Sequence, residues 1–309
     1  MNPIDFAVFS FMKQHMVNKF KFPPVFILIL LSLIWGTSFI LIKQGLKVFA
    51  ADEVGALRVA AASLFLMPIA FTKLKELHQV HYFRLFVAGL MGTFFPAFLF
   101  AWGQTQLSSS VTGILNTLSP IWTMIFGFLL FQQRFRAIAI VGIIISFGGT
   151  ILLALSRSGG QISGFNSYAL IIVLACAFYG ANLNWIKFKI PELGSLTITS
   201  VALAMIGPLG AIYLFGFTDF THKLEAVDGA WKAFGFIVLL ALMSTTIATV
   251  LFNKLVKLTT PLYASSVTYI MPIVSVMWGV LDGEELLITH FIGMACILGG
   301  VYLANRKPA

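Results

Sequence analysis

Long apolar stretches, separated by short polar segments, make up most of the chain. Ten of them approach the roughly 20 residues that a helix needs to cross a bilayer. They are residues 24–44, 54–71, 84–104, 109–131, 136–156, 168–187, 196–216, 233–253, 261–281 and 287–304. Each is apolar on every face, which favours helices over the alternating strands of a membrane β-barrel. The pattern therefore predicts an all-α integral membrane protein with ten transmembrane helices.

The composition excludes an ordinary soluble protein. Of the 309 residues, 59% are hydrophobic and 10% are charged, whereas soluble domains are about 25% charged. Helices buried in a large soluble protein would also need polar faces and connections that carry more charge. Cys176 and Cys296 lie inside predicted spans, so we expect no disulfide and interpret both as small packing residues.

The basic residues indicate how the chain is oriented in the membrane. With the N-terminus placed in the cytoplasm, 14 of the 20 lysines and arginines fall in cytoplasmic segments and 6 in outer ones, as the positive-inside rule requires. Residues 1–23 then form a cytoplasmic N-terminal segment, and the C-terminus is cytoplasmic as well. Because this topology explains the net charge of +9, we expect no nucleic-acid partner.

Polar clusters inside the first and sixth spans match each other. The first span contains LIWGTSFILIK, residues 33–43, and the sixth contains AFYGANLNWIK, residues 177–187. The matched residues are Trp35 with Tyr179, Gly36 with Gly180, Ser38 with Asn182 and Lys43 with Lys187. Two such clusters in register indicate an internal duplication.

The duplication extends over most of the chain. Residues 112–135 align with residues 264–287, which pairs Pro120 with Pro272. The sequence therefore predicts a first five-helix repeat at residues 24–156 and a second at 168–304. Because five is an odd number, the second repeat enters the bilayer from the opposite face. This is the inverted-repeat architecture, in which solutes bind near the midplane between the two halves.

These features resemble a known family of membrane transporters. The Trp-Gly-Thr-Ser cluster, Arg58, the helices of Pro120 and Pro272, and the GEEL and GGVYL motifs near the end are similar to EamA-like ten-helix permeases of the drug/metabolite transporter superfamily. The resemblance covers residues 24 to 304. It departs from the usual pattern at Gln133, where such proteins commonly carry an acid, against Glu284 in the second half. That asymmetry favours a packing or capping role for Glu284.

The resemblance also implies a range of solutes. It implies amino acids, particularly aromatic or bulky neutral ones, other metabolites or toxic drug-like compounds, usually exported. Other members of the superfamily import vitamins, nucleotide sugars or S-adenosylmethionine. Import of a vitamin, nucleotide or S-adenosylmethionine-like metabolite is therefore the alternative within this class.

Polar stripes along several spans mark a candidate solute path. Helical spacing places polar residues on one face of the fourth, eighth and ninth spans, and the matched clusters add the first and sixth. The predicted solute-binding residues are Trp35, Ser38, Asn116, Tyr179, Asn182, Thr246, Thr249 and Tyr269. Serine and threonine also serve close helix packing in membranes. A side-chain amide has four hydrogen-bonding valences and needs a partner or water more strongly.

Prolines and one arginine carry further hypotheses. Pro96, Pro120 and Pro272 lie inside spans, where each removes a helical hydrogen bond; they form either static kinks or hinges that gate the cavity. Arg58, early in the second span, either pairs with a neighbouring acid, Asp52 or Glu53, or contacts a solute carboxylate at the outer mouth.

The leading function is secondary transport by alternating access. The chain carries no phosphate-binding loop for ATP, and its histidines fall in predicted loops or at helix ends. We therefore expect no catalytic residue, no metal and no cofactor. The partners are a small-molecule solute and lipid of the inner (plasma) membrane, and the chain can act as a monomer. A membrane-embedded enzyme and a structural membrane protein are the alternatives from other classes.

Overall fold

The computed structural model describes residues 23–107, 109–157, 167–281 and 288–305. Helices dominate this part of the chain, and no β-strand occurs in it. In chain order the α-helices are α1 (Pro24–Gly45), α2 (Ala51–Lys73), α3 (Gln79–Gly89), α4 (Phe95–Gln106), α5 (Ser109–Asn116), α6 (Ser119–Phe131), α7 (Ala137–Arg157), α8 (Tyr168–Lys189), α9 (Ser195–Phe217), α10 (Phe220–Ala226), α11 (Ala230–Leu240), α12 (Ala248–Leu258), α13 (Pro261–Ser265), α14 (Val267–Leu281) and α15 (Ile288–Asn305). Two π-helical segments, Leu90–Phe94 and Ala241–Ile247, join α3 to α4 and α11 to α12.

Seven helical stretches in the described residues are long and apolar enough to cross a membrane. They are Pro24–Gly45, Ala51–Lys73, Gln79–Gln106, Val111–Phe131, Tyr168–Lys189, Ser195–Phe217 and Ala230–Leu258. Three shorter apolar helices lie at Ala137–Leu152, Pro261–Val274 and Phe291–Asn305. Each of the ten predicted ranges overlaps a helix, so the prediction of an all-helical multi-pass membrane protein is confirmed. Ten crossings and cytoplasmic termini stay predictions, and residues 1–22 lie outside the described part.

The three predicted hinge prolines stand at or near irregular points in the helices. Pro96 is in the first turn of α4, directly after the π segment Leu90–Phe94. Pro120 is in the first turn of α6, after a short break from α5. The first turn of a helix accepts proline because its N–H has no helical partner there. Pro272 lies inside α14. Whether these points bend during transport stays a prediction.

Helices of the two predicted repeats pack against each other. α2 lies along α9, α7 along α15, α6 against α8, and α1 against α14. Each of these pairs joins a helix of the first repeat to a helix of the second. The side chains that point away from the bundle include many large apolar groups, among them Leu64, Phe83 and Phe217. Such a surface suits contact with lipid chains.

Candidate functional site

A cavity lies at the centre of the bundle. Its volume, counted over the positions that the centre of a water molecule can take, is about 80 Å³. By the same measure, one water needs about 10–15 Å³. Several waters or part of an organic solute therefore fit. The lining residues, from both predicted repeats, are Trp35, Ser38, Phe39 and Ile42 of α1, Arg58 of α2, Gly92 and Thr93 of the first π segment, Phe100 of α4, Asn116 of α5, Ser119 of α6, Tyr179, Asn182 and Leu183 of α8, Ser244 and Thr245 of the second π segment, Thr249, Phe252 and Asn253 of α12, Ser265 of α13, and Thr268 and Met271 of α14.

Most of the predicted solute-binding residues meet at this cavity. Its lining includes Trp35, Ser38, Asn116, Tyr179, Asn182 and Thr249. Thr246 and Tyr269 are not among the lining residues. A binding role for the six lining residues is a proposal that the cavity supports.

Thr246 lies outside the lining because a π segment changes the helical phase. Its hydroxyl donates to the carbonyl of Ala62 at 3.4 Å. In a π segment residue i bonds to residue i+5, so each turn holds more residues than an α-helical turn. The lining residues one turn before Thr249 are therefore Ser244 and Thr245. Sequence reasoning at α-helical spacing missed both.

Tyr269 lies in an apolar cluster instead of the cavity. Its side chain is 1% exposed and packs with Ile143, Leu262 and Ile297. The helix is interrupted at Ser266, and the N–H of Tyr269 bonds the carbonyl of Ser266 three residues back. That tighter turn separates Tyr269 from the face of the preceding helix, so the one-turn spacing assumed for a continuous helix does not apply.

The Trp35 cluster ties α1 to the second π segment. The indole Nε1 of Trp35 donates to the carbonyl of Ser244 at 2.9 Å. The hydroxyls of Ser38 and Ser244 hydrogen-bond to each other. The Trp35 ring also meets the Phe252 ring edge-on, with centroids 4.8 Å apart. These contacts fix one aromatic wall of the cavity.

Two amides at the cavity keep hydrogen-bonding capacity. Among the described residues, the Asn116 Nδ2 reaches only the sulfur of Met271, at 3.7 Å. Its Oδ1 accepts from Ser119 at 3.2 Å and from the Cys176 thiol at 3.8 Å. The Oδ1 of Asn182 is buried and accepts no hydrogen bond from a described residue. Buried polar groups are normally paired, so each of these atoms retains capacity for a further hydrogen bond.

An aromatic wall lies on the side of α8. The Tyr179 ring stacks on Phe100, with centroids 5.8 Å apart and an angle of 28° between the planes. Tyr179 and Trp35 each occupy the twelfth position of a 22-residue helix. Both rings therefore lie near the middle of their helices, where a membrane-crossing helix reaches the midplane.

The residue four before each predicted hinge proline lines the cavity. In a regular α-helix, the N–H of residue i bonds the carbonyl of residue i−4, and proline has no N–H. The corresponding residues are Gly92 for Pro96, Asn116 for Pro120 and Thr268 for Pro272, and all three line the cavity. Pro272, inside α14, therefore interrupts regular bonding at the cavity wall, whereas Pro96 and Pro120 stand in first turns, where the missing N–H has no helical partner.

Arg58 is the only charged side chain among the described residues that line the cavity. It is 9% exposed, and its Nε donates to the Thr245 hydroxyl at 2.7 Å. The expected pairing with Asp52 or Glu53 is wrong. Glu53 accepts from Lys223, 170 positions away in the sequence, and Asp52 accepts from the Tyr213 hydroxyl.

Polar contacts also hold the predicted cytoplasmic end of the bundle. Lys187 Nζ donates to backbone carbonyls at the end of α12, including that of Val256 at 3.1 Å. Nε2 of His81 lies 2.9 Å from a carboxylate oxygen of Glu192, and Arg84 lies 3.7 Å from the same oxygen. Burial opposes the ionisation of Glu192, but a backbone hydrogen bond, His81 and Arg84 together hold its pKa below the ordinary value. The carboxylate therefore stays ionised at neutral pH and bridges α3 to the segment after α8.

Asn184, which sequence reasoning did not single out, links α8 to α6. It is fully buried, and its Nδ2 donates to the carbonyls of Thr123 and Gly180, each at 2.9 Å. Its Oδ1 accepts from the side chain of Gln133. Gln133 is the position where the family pattern commonly has an acid. In this chain the Gln133 amide completes a hydrogen-bond network with Asn184 that contains no charged side chain.

Replacing Asn184 with alanine is expected to destabilise the folded protein by about 2 kcal/mol, because it strands buried partners. Thermal unfolding of the purified protein in detergent measures this loss. Asn253→Ala is the matched control, since the Asn253 amide makes one hydrogen bond to the residues that the structure describes, to Thr199 at 2.9 Å, and a smaller loss is expected. Equal losses in both variants would contradict the network role of Asn184.

The chain is similar to known membrane transporters. The EamA-like transporter family model matches residues 22–155 and 166–306. An uncharacterized transporter of Archaeoglobus fulgidus is 26% identical over 278 residues, covering 88% of this chain and 95% of that protein. The uncharacterized inner membrane transporter YedA of Escherichia coli is 26% identical over 286 residues, covering 89% and 88%. One solved crystal structure superposes with a TM-score of 0.68 at 18% identity, covering 91% of this chain and 96% of the other, which supports the fold alone.

Proposed function

The chain belongs to the EamA-like transporter family, and from that premise we propose that it is a secondary transporter of small amphipathic organic solutes, such as amino acids or related metabolites. It exports them across the inner membrane by alternating access, with the two five-helix repeats moving around the central cavity. Export and these solute classes are what the family resemblance favours. The inner membrane is favoured by the name of the similar protein YedA.

The observation that carries this proposal is the cavity itself. Its walls come from both repeats, and they combine aromatic rings with amides that retain hydrogen-bonding capacity. Binding sites for small organic molecules have this character, mostly apolar with a few placed polar groups. A site between two repeats near the midplane is also where alternating access requires it.

The packing of two matched glycines supports the duplicated arrangement. A Cβ on Gly36 of α1 would lie 2.9 Å from Val274 of α14, and a Cβ on Gly180 of α8 would lie 2.7 Å from Trp122 of α6. Gly36 corresponds to Gly180, and the alignment that pairs Pro120 with Pro272 also pairs Trp122 with Val274. Equivalent helices of the two repeats therefore meet through equivalent contacts, as expected for halves related by a two-fold axis.

Solute exchange in proteoliposomes tests the proposal. The purified protein, reconstituted into liposomes loaded with an unlabelled candidate such as phenylalanine or leucine, is expected to exchange the radiolabelled form at least about tenfold faster than protein-free liposomes, because the cavity lowers the barrier to crossing. Gly235→Ala, a change on an exposed helix position with open space around it, is expected to retain this rate. If no candidate from a panel of amino acids, vitamins and nucleotides exchanges faster than in protein-free liposomes, the transport proposal fails.

A further inference from the structure

The partner of Arg58 within the described chain is a neutral hydroxyl. The Nε of Arg58 donates to Thr245, and its remaining N–H groups donate to no described residue. A guanidinium has five N–H donors in a planar fork suited to a carboxylate. Four donors therefore remain unused at a cavity wall.

The acids closest to Arg58 in the sequence are engaged elsewhere. The carboxylate of Glu53 is 2% exposed and lies 2.7 Å from Lys223 Nζ, and it also accepts from the N–H of Ala50 at 2.7 Å. Asp52 accepts from the Tyr213 hydroxyl at 2.9 Å. No described residue that lines the cavity is acidic. The protein thus supplies a cation to the cavity without an anion to balance it.

A buried charge without a counter-ion is costly in a membrane protein, and such residues face a partner or a water-filled path. Resting on the transport function proposed above, we propose that the solute carries a carboxylate and that this group binds the free edge of the Arg58 guanidinium. Thr245 holds Arg58 in position by accepting a hydrogen bond from its Nε–H.

The rest of the lining fits the body of such a solute. Trp35, Phe100, Tyr179 and Phe252 provide aromatic faces for an apolar group. The unpaired Oδ1 of Asn182 accepts from a hydroxyl or amino group where the solute has one. The charge of the site also limits the charge of the solute, because one guanidinium balances one negative charge. A doubly charged phosphate monoester would leave a net charge in the cavity, and a cation would meet only repulsion.

Matched ligand pairs test the carboxylate. The probes are 3-phenylpropionate and 3-phenylpropanamide, which share a skeleton and differ in the charge of the end group. Affinity is measured from the dependence of the melting temperature of the purified full-length protein on ligand concentration. Charge-assisted hydrogen bonds are markedly stronger than neutral ones. The acid is therefore expected to bind the wild-type protein about tenfold or more tightly than the amide.

Variants of Arg58 identify the residue responsible. Arg58→Gln is expected to lower the affinity for the acid to that for the amide and to leave affinity for the amide unchanged. Arg58→Lys keeps the charge but loses the planar fork, so part of the preference should remain. Arg134→Gln removes an exposed arginine away from the cavity and is the control that should keep the full preference. The comparison of acid and amide affinity in the wild-type protein needs no variant. It therefore tests carboxylate binding even if Arg58→Gln does not fold.

Three results would overturn the proposal: equal affinity of the wild-type protein for acid and amide, an acid preference that survives Arg58→Gln, or no binding of the acid at all. Proteoliposome exchange separates this failure from failure of transport. Exchange of neutral solutes without an advantage for acids would reject the carboxylate and leave transport intact. Binding of the acid through Arg58 without any exchange would retain the binding site and reject transport.

Discussion

Asn116→Ala and Tyr179→Ala are each expected to reduce solute exchange to the level of protein-free liposomes while the protein stays folded and inserted. The Asn116 amide makes weak contacts, and within the described part of the chain its Nδ2 reaches only a thioether sulfur at 3.7 Å. Tyr179 is half-buried beside the cavity and stacks on Phe100. Each truncation therefore removes a group facing the solute but strands no strongly bonded partner. Each lost contact weakens solute binding by about 1 kcal/mol or more, which is about fivefold in affinity. The changed shape of the cavity accounts for the rest of the expected loss of exchange.

Exchange of radiolabelled solute in proteoliposomes measures this effect, and the melting temperature of each variant in detergent reports folding. Tyr302→Ala is the matched control, because Tyr302 is 67% exposed on α15 and its loss should leave exchange unchanged. Wild-type exchange in both Asn116→Ala and Tyr179→Ala would mean that the polar stripes serve only to pack helices.

The helical fold and much of the site were predictable because both depend on local periodicity. Apolar stretches of bilayer length identify helices without any tertiary information. Trp35, Ser38, Asn116, Tyr179 and Asn182 were found because matched clusters and helical spacing mark one face of a helix. All five lie at the cavity wall.

Other lining residues depend on features that periodicity does not contain. Ser244 and Thr245 reach the cavity through the π segment Ala241–Ile247, and no simple sequence signal announces such a segment. For Arg58 the sequence left two alternatives open, pairing with a neighbouring acid or contact with a solute, and distant partners decide between them. Its neighbour Glu53 pairs with Lys223, 170 positions away, and this pairing is what leaves the guanidinium for the cavity.

The same distinction explains the role of Asn184. The internal match between the two polar clusters identified Asn182, which corresponds to Ser38 in the first repeat. Asn184, two positions on, points to the α6 interface instead, where both N–H groups of its amide donate and its Oδ1 accepts. The unsatisfied amide lines the cavity and the satisfied amide joins helices, a difference that only the contacts of each side chain reveal.

Gly180→Ala is expected to destabilise the protein strongly and to abolish transport. A Cβ at this position would lie 2.7 Å from the backbone N of Thr123 and 2.7 Å from the carbonyl carbon of Trp122. Backbone atoms cannot turn aside as a side chain can, so α6 and α8 would have to separate. Overpacking of this kind costs about 1–3 kcal/mol. The shift would also disturb the bond from Asn184 to the Gly180 carbonyl and move Tyr179 away from its place beside Phe100.

Gly235→Ala provides the comparison that isolates steric contact from the general effect of replacing glycine in a helix. A Cβ on Gly235 of α11 would meet nothing within 4 Å. Alanine there should be neutral or stabilising by up to about 1 kcal/mol, because glycine is the poorer helix former. Melting temperatures in detergent and exchange in proteoliposomes measure both variants. If Gly180→Ala is as stable and as active as Gly235→Ala, close approach of α6 and α8 is not what Gly180 provides. The equivalent contact of Gly36 with α14 would then no longer support two repeats that meet through matching helix contacts.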